Sequence, residues 1–148
     1  DYEQVYVAQV AFGAKDIQTL HAFLEAESYP GTSLIIAYSP CIAHGVDMSN
    51  DLRQQRLAVR SGHWPLLRFD PRRTAQGQNP LVLDSQKPSI PYRDFAMTEA
   101  RFSIRSRTHA ERSEQLLQQA QRDVNDRYRH YRLQAEQPSG RQNKNEQE

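Results

Sequence analysis

The sequence is poor in cysteine and has no long apolar run. Cys41 is the one cysteine among 148 residues, so an internal disulfide is excluded, and a zinc site or a metal cluster would need ligands from outside the chain. A single thiol also fits a reducing compartment. No apolar stretch approaches the roughly 18 residues of a membrane span, and no charged start leads into the apolar segment of a signal peptide. The sequence therefore predicts a cytoplasmic protein without a membrane segment.

An excess of charge of either sign is lacking as well. The 19 Lys and Arg residues against 18 Asp and Glu residues give a net charge of +1, which provides no overall field to attract nucleic acid or anionic lipid. The length fits one domain. A hydrophobic share of 37% and a mean hydropathy of -0.85 are polar for a globular chain. Because the polar excess falls near the end, we expect the core in the first two thirds.

The first part of the chain has the pattern of an α/β fold. Residues 4–12 are rich in β-branched and aromatic side chains, which is typical of a strand. Residues 33–38 form a continuous apolar run, which predicts a strand buried on both faces of a parallel sheet and flanked by helices. Between them, Asp16 can cap a helix that ends before Pro30. The apolar stripe of this helix comprises Ile17, Leu20, Phe23 and Leu24.

The middle of the chain predicts a further helix and two short extended segments. The helix covers residues 48–60, where Met48, Leu52 and Val59 recur at intervals of four and seven. The extended segments are residues 64–69 and 80–83, and we expect extended chain after them. The apolar alternation begins almost at Asp1, with no Met before it, and a strand placed there would lack its neighbours. We therefore expect a fragment of a longer protein.

The last part predicts one long helix and a polar tail. Thr108 to Glu111 has the spacing of a capping box, and the helix is expected to end near Ala135. Its apolar stripe comprises Leu117, Ala120, Val124, Tyr128 and Tyr131. Residues 136–148 lack the apolar anchors that offset the entropy of ordering, so we expect a disordered tail. The domain itself should then occupy residues 1–135.

The loop after the second predicted strand is the main candidate site. It carries Cys41 between Pro40, which helps to end the strand, and Gly45, which allows a tight return. Ligands collect at the carboxyl ends of strands in open α/β sheets. Loop amides directed at a sulfur favour a thiolate, so the loop suits a cluster ligand or an activated nucleophile. The alternative is that Cys41 is a small buried hydrophobe, as free cysteines commonly are.

Histidines and arginines offer further candidates. His44 lies three residues after Cys41, but Cys/His dyads seldom come from sequence neighbours. His63 beside Trp64 fits a packed position at a helix end better than a cofactor wall, and His21, His109 and His130 are expected on the surface. The late arginines could contact phosphates or an acidic protein, although interspersed acidic residues favour a salt-bridged helix face.

Four stretches together resemble one family. They are residues 5–11 (Val-Tyr-Val-Ala-Gln-Val-Ala), 23–29 (Phe-Leu-Glu-Ala-Glu-Ser-Tyr), 34–45 (Leu-Ile-Ile-Ala-Tyr-Ser-Pro-Cys-Ile-Ala-His-Gly) and 61–65 (Ser-Gly-His-Trp-Pro). Their order and spacing resemble the end of the pyruvate:ferredoxin oxidoreductases, including the flavodoxin-reducing form associated with nitrogen fixation. The similarity covers about residues 1–120 and is most specific around Cys41.

The resemblance implies a fold and a chemistry. The fold would be the carboxy-terminal part of a three-layer α/β domain that binds thiamine diphosphate and magnesium. The enzyme would decarboxylate pyruvate oxidatively with coenzyme A and pass electrons through [4Fe-4S] clusters to ferredoxin or flavodoxin. The family's matching cysteine is the fourth ligand of the cluster nearest the thiamine, so the resemblance implies that Cys41 binds that cluster. The other three cysteines and the diphosphate loop lie upstream in the family, so the rest of the same polypeptide, in a homodimer, would be required for activity.

Two other classes of function stay open. The first is a noncatalytic structural or carrier-docking module in which Cys41 is buried and the late arginines meet an acidic electron carrier. The second is a hydrolase or transferase that uses a Cys/His pair. A CxxC motif and a further cysteine upstream would favour the oxidoreductase.

Overall fold

The chain forms a mixed α/β structure around one four-stranded sheet. A computed structural model describes residues 4–138. The strands are β1 (Tyr6–Val10), β2 (Ser33–Ala37), β3 (Leu67–Phe69) and β4 (Leu81–Leu83), and their order in the sheet is β2-β1-β3-β4. The expected α/β class is confirmed. The predicted tail beyond residue 138 lies outside the described residues.

The first unit is the predicted strand-helix-strand. β1 pairs in parallel with β2, with Tyr6 opposite Ser33 and Val10 opposite Ala37, and helix α1 (Asp16–Ser28) connects them. Tyr6, Ala8 and Val10 are fully buried on the α1 face of the sheet. This small core fixes the position of the carboxyl ends of β1 and β2.

The second unit adds two antiparallel strands. After a 3-10 turn, Met48–Asn50, helix α2 (Asp51–Arg60) leads into β3, which pairs with β1. A short helix α3 (Arg72–Ala75) then connects β3 to β4, which pairs with β3. The sheet is therefore parallel at the β1–β2 pair and antiparallel beyond it.

The third unit consists of helices α4 (Tyr92–Ala96), α5 (Ala100–Thr108) and α6 (Ala110–Glu136). A second core of Ala58, Tyr92, Phe95, Ala96 and Val124 joins α2, α4 and α6. The stripe predicted for the long helix is confirmed, because its members lie among the less exposed residues of α6 and include the buried Val124. None of the described helices combines the length and apolarity that crossing a membrane requires.

The expected interior strand is wrong for this chain. β2 lies at the edge of the sheet, with one neighbour, and its residues are mostly exposed. β1 and β3 are the strands with neighbours on both sides. A continuous apolar run is typical of a strand that is buried on both faces. It does not show whether the elements that bury the strand lie within this chain.

The first predicted helix is confirmed as α1, but its apolar stripe does not face the core. α1 buries Gln18, Thr19 and Ala22 against the sheet, and its large apolar residues face outward. The stripe is Ile17, Leu20, Phe23 and Leu24, each more than half exposed. The same reversal occurs around α2, where Gln54 and Gln55 are buried. The helical spacing correctly predicted α1 and α2, but the buried side of each helix includes polar residues and not the predicted apolar ones.

Two later expectations need correction. The segment expected to be extended contains α4 and α5, which are short helices without a side-chain cap. The capping box is absent because Thr108 belongs to α5 and its hydroxyl donates to the carbonyl oxygens of Ile104 and Arg105 instead. α6 nevertheless ends at Glu136, one residue from the expected position.

Candidate functional site at the carboxyl end of the parallel strands

The loop that carries Cys41 follows β2 directly. Pro40 is buried, Cys41 is exposed in an extended conformation, and Ile42–His44 form one 3-10 turn. The expectation that Cys41 follows the carboxyl end of the strand is confirmed. The alternative of a small buried hydrophobe is wrong, because the thiol-bearing residue faces outward.

Gly45 fixes the return of this loop. Its φ of 74° lies in the left-handed region, and its N–H donates to the carbonyl oxygen of Ile42 at 2.8 Å. A Cβ placed on Gly45 would also collide with the Cβ of Ala100, at the start of α5. Residues with a side chain are therefore disfavoured twice at this position, by backbone conformation and by space. The loop is held against α5 at a fixed distance from β2.

The carboxyl ends of β1 and β2 are tied together through one carbonyl group. The Val10 oxygen accepts from the Tyr38 N–H at 2.9 Å and from the Trp64 indole N–H at 3.0 Å. The rings of Tyr38 and Trp64 meet edge to face, with centroids 5.4 Å apart. The residue after β2 and the turn after α2 thus form one aromatic floor beneath the cysteine loop.

His63 belongs to the same aromatic cluster. Its ring stacks on Phe95 with centroids 4.5 Å apart. Burial, with the positive charges of Arg127 and Arg101 as further causes, lowers the pKa of His63 to about 4. The ring is therefore neutral near pH 7. The expectation of a packed histidine beside a packed indole is confirmed.

A partly buried pair of polar side chains, Gln54 and Thr98, lies near the Tyr38 ring. Burial raises the pKa of Tyr38 to about 12, and the negative charge of Glu99 is the second cause of this shift. The Tyr38 hydroxyl therefore keeps its proton near pH 7. Gln54 accepts from the Thr98 hydroxyl at 2.8 Å through Oε1. Within the described residues, its Nε2 has no acceptor although it is buried. Such an unmade hydrogen bond costs about 1–3 kcal/mol.

Three exposed apolar side chains, here called the apolar rim, lie on the segments that follow β1 and β2: Phe12, Ile42 and Leu52. Ile42, next to Cys41, is 72% exposed, and Phe12, just beyond β1, is 62% exposed. Leu52 in α2 is half-exposed and touches the turn after β1, because a Cβ on Gly13 would lie 2.8 Å from its Cα. An apolar rim around a thiol lowers the local dielectric once it is covered.

The described side chains contain no complete metal site. Among the side chains that the structure describes, which do not include that of His44, no group of three His, Cys, Asp or Glu residues could hold a metal ion. Cys41 can therefore offer one thiolate ligand, and sulfur is a donor that iron-sulfur clusters and zinc prefer. Either group needs about four ligands, so one cysteine is too few. A cluster at Cys41 fits this chain only if other segments supply the remaining ligands.

The other sequence candidates do not converge on Cys41. His21, His109 and His130 are exposed, as expected. The late arginines are partly engaged in ion pairs: Arg101 with Glu99, Arg129 with Asp126, and Arg132 with Glu136. A salt-bridged helix face is thereby confirmed for Arg129 and Arg132 on α6. Arg101 follows Ala100 at the start of α5, where this helix meets Gly45 of the cysteine loop.

Several residues of the site gave no usable sequence signal. Gln54 lies on the predicted helix of residues 48–60 but outside its apolar positions, and Phe95 and Thr98 lie on the segment predicted to be extended chain. They reach Tyr38 and His63 because α2 packs against α4, and the core between these helices also contacts Tyr38. Tyr38 had a partial signal, because it ends the apolar run just before the cysteine loop.

Comparison with known proteins gives a consistent set of relatives. The chain is 52% identical over 130 residues to the pyruvate-flavodoxin oxidoreductase of Trichormus variabilis, which covers 88% of the chain and 11% of that protein. It is 44% identical over 135 residues to the pyruvate:ferredoxin oxidoreductase of Moorella thermoacetica, covering 91% and 12%. A probable pyruvate-flavodoxin oxidoreductase of Escherichia coli is 47% identical over 127 residues, covering 86% and 11%. No family model matches the chain.

These matches confirm the resemblance seen in the sequence. Each covers most of the chain, whereas the chain spans only 11% or 12% of the length of these relatives. The chain thus corresponds to one segment of much larger proteins. The four-stranded sheet and its helices are the structure of that segment.

Proposed function

We infer that this chain, which is homologous to a segment of the pyruvate-flavodoxin and pyruvate:ferredoxin oxidoreductases, works as part of such an enzyme. The complete protein would decarboxylate pyruvate oxidatively with coenzyme A, giving acetyl-coenzyme A and CO2. Its electrons would pass through [4Fe-4S] clusters to ferredoxin or flavodoxin. The observation that carries the inference is an exposed Cys41 on a fixed loop, within a segment that is 44–52% identical to these relatives.

Within that enzyme, Cys41 is one of the four protein ligands of one [4Fe-4S] cluster. Three features support this role: the thiol is exposed, its loop is fixed by Gly45, and an apolar rim lies at the same end of the sheet. A bound cluster supplies one-electron transfer. The residues of this chain fix the sulfur in place, and they exclude water when the rim is covered.

The aromatic floor positions the loop rather than the substrate. Trp64 and Tyr38 share the Val10 carbonyl oxygen, so the ends of both parallel strands move as one unit. His63 is neutral and Tyr38 is protonated near pH 7, so neither ring carries a charge itself. The nearby charges come from Arg101, which acts on both rings, from Glu99 beside Tyr38 and from Arg127 beside His63.

The remaining parts of the proposal concern the complete protein. Residues 1–135 are the carboxy-terminal part of a three-layer α/β domain that binds thiamine diphosphate and magnesium, and other segments of the same polypeptide hold those cofactors. We assign no thiamine-binding residue to this chain. The enzyme would act as a homodimer in the cytoplasm.

The test is the substitution Cys41→Ala in the complete enzyme. With three of four ligands left, one iron loses its protein ligand, so we expect loss of iron corresponding to a single cluster. Thiamine binding should largely remain, because the diphosphate is held elsewhere. Pyruvate-dependent reduction of ferredoxin or flavodoxin should therefore fall far more than thiamine binding does.

The matched control is Ser39→Ala, two residues away in the same loop, where the side chain makes only a weak 3.4 Å bond to the Pro40 carbonyl oxygen. Iron content, low-temperature electron paramagnetic resonance and acceptor reduction should be measured on both variants. If Cys41→Ala leaves iron content and the reduced-cluster spectrum as they are in Ser39→Ala, Cys41 is not a ligand.

A further inference from the structure

The start of α5 brings a charged pair to the cysteine loop. A Cβ on Gly45 would lie 3.3 Å from the backbone nitrogen of Ala100, the first residue of α5. Glu99 and Arg101 flank Ala100, and the Arg101 Nε donates to the Glu99 Oε2 at 2.8 Å. Gly45 ends the loop that carries Cys41. The ion pair therefore lies beside that loop.

The two partners of this pair differ in exposure. The Glu99 side chain is 4% exposed, whereas the Arg101 side chain is 46% exposed. The guanidinium of Arg101 also lies over the Phe102 ring, with Cζ 4.6 Å from the ring centroid. The carboxylate and the ring together hold the cation at a defined place in the first turn of α5.

The charges of the pair act on the aromatic residues beneath the cysteine loop. Burial is the main cause that raises the pKa of Tyr38, the negative charge of Glu99 is the second, and the positive charge of Arg101 opposes both. Burial, Arg127 and then Arg101 lower the pKa of His63. A group bound at the loop above these rings experiences the same two charges, because Coulomb interactions extend over such distances in a protein.

The other charges near the loop do not cancel this pair. No side chain caps the N-terminus of α5, where the helix macrodipole contributes about +0.5 elementary charge. Asp47, which follows the loop, is exposed and accepts from the Ser49 N–H at 3.0 Å. Water and salt screen an exposed charge of this kind. The first turn of α5 is therefore the main source of positive potential beside the cysteine loop.

We infer that the Glu99–Arg101 pair sets the reduction potential of the cluster that Cys41 binds. Reduction adds one electron, which comes from pyruvate and leaves to ferredoxin or flavodoxin. A nearby positive charge stabilises the reduced cluster and a nearby negative charge destabilises it. Arg101 thus favours reduction and Glu99 opposes it. The inference rests on the proposed function, because it requires a cluster at Cys41.

Coulomb's law gives the size of the effect. A unit charge about 10 Å away, with an effective dielectric constant of about 20, changes the equilibrium between oxidised and reduced cluster roughly tenfold. For a one-electron couple, a tenfold change corresponds to about 59 mV. Such a shift is large enough to be measured in a redox titration.

The test is the substitution Arg101→Gln in the complete enzyme. Low-temperature electron paramagnetic resonance at a series of applied potentials gives the potential of each cluster, and the relevant cluster is the one whose signal is lost in Cys41→Ala. Its potential should become more negative by about 59 mV in Arg101→Gln, because the reduced form loses a favourable charge. Arg101→Lys keeps the charge and should restore most of the parent potential.

Arg107→Gln is the matched control. Arg107 lies about 9 Å further along the axis of α5, in its last turn, and it is exposed. Its loss removes the same charge from the same helix but at the end away from the cysteine loop. The potential should therefore stay close to that of the parent.

Glu99→Gln tests the sign of the effect. It removes the negative charge with little change of shape, so the potential should become less negative. Shifts in the same direction for Arg101→Gln and Glu99→Gln would show a general disturbance and overturn the inference. An unchanged potential in Arg101→Gln, an equal shift in Arg101→Lys, or an equal shift in Arg107→Gln would overturn it as well. Loss of cluster iron from both Arg101→Gln and Glu99→Gln would assign the pair a structural role instead.

Failure of this inference is distinct from failure of the proposed function. Cys41→Ala shows whether a cluster depends on Cys41, and that result does not involve the charged pair. If Cys41→Ala loses one cluster and Arg101→Gln leaves the potential of that cluster unchanged, only the role of the pair is rejected. If Cys41→Ala keeps every cluster, the ligand assignment is rejected, and the role of the pair with it.

Discussion

At the scale of single residues, Gly45 sets the path of the loop that carries Cys41. We expect Gly45→Ala to destabilise the chain by at least about 2 kcal/mol, because the left-handed conformation and the overlap with Ala100 both oppose a Cβ. The change should be measured from urea unfolding curves.

Gly77→Ala is the matched control for this prediction. Gly77 has a similar φ of 70°, but nothing lies within 4 Å of the Cβ that would be added. Its substitution should cost about 1 kcal/mol, which is the conformational part alone. Equal losses for the two variants would show that the Gly45 loop is free to move away from α5.

His63 is the residue from which we expect a clear pH dependence. Its pKa is lowered from 6.5 to about 4 in the folded chain. Between these values the unfolded chain binds the proton and the folded chain does not, so stability falls as the pH is lowered from about 6.5 to about 4. Above pH 6.5 the effect is absent, because the imidazole is neutral in both states.

The substitution His63→Phe isolates this contribution. A phenyl ring can keep the stacking on Phe95 but cannot be protonated, so its stability should fall less than that of the parent over this range. The comparison removes the common titration of carboxylates. Parallel stability-against-pH curves for the two proteins would contradict the lowered pKa.

The cysteine loop could be predicted from the sequence, but its surroundings could not. Pro40 and Gly45 bracket Cys41 with residues that end a strand and permit a tight return, and these are local rules. Gln54 and Thr98 lie 44 positions apart in the sequence and are joined near Tyr38 by a hydrogen bond from the Thr98 hydroxyl to Gln54 Oε1. No local pattern records such a contact.

At the scale of elements, α1 is fastened to the sheet by charge as well as by its small core. Arg68 in β3 pairs with Glu25 in α1, and its Nε donates to Asp84, after β4, at 2.8 Å. The Arg68 and Asp84 side chains are mostly buried. One guanidinium group therefore links three elements at the α1 face.

We expect Arg68→Met to cost about 3 kcal/mol of stability, because two carboxylates would lose their partner in a largely buried position. The control is Arg129→Met, whose pair with Asp126 is exposed on both sides and should contribute less than about 0.5 kcal/mol. Urea unfolding of both variants gives the comparison. A similar small loss for each would mean that water replaces Arg68 at no cost.

The reversal of α1 shows where sequence patterns stop being informative. The helical period of Ile17, Leu20, Phe23 and Leu24 correctly predicted a helix, but these side chains face outward while Gln18 and Ala22 face the sheet. The side of α1 that faces the sheet carries small side chains and Gln18, whose Nε2 donates to Asp84 at 3.0 Å. The apolar stripe is an exposed patch in the described structure.

At the scale of the whole molecule, the chain has two small cores and an unusual amount of exposed apolar surface. One core lies between α1 and β1, and the other lies among α2, α4 and α6. Large apolar side chains remain exposed on α1, on β2 and around the cysteine loop. A chain that spans about a ninth of its relatives is expected to show such surfaces, because they are covered in the longer protein.

The last prediction concerns this chain by itself. A cubane cluster needs four protein ligands, whereas the sequence has one cysteine. After anaerobic treatment with iron and sulfide and removal of excess reagent, the purified chain should be colourless and should not reduce ferredoxin or flavodoxin with pyruvate. The complete enzyme, treated in the same way, is the control for the procedure. A visible iron-sulfur absorption band that persists with the chain, and that disappears in its Cys41→Ala variant, would show that Cys41 can hold a cluster with ligands from several copies, and would make the upstream cysteines unnecessary for binding.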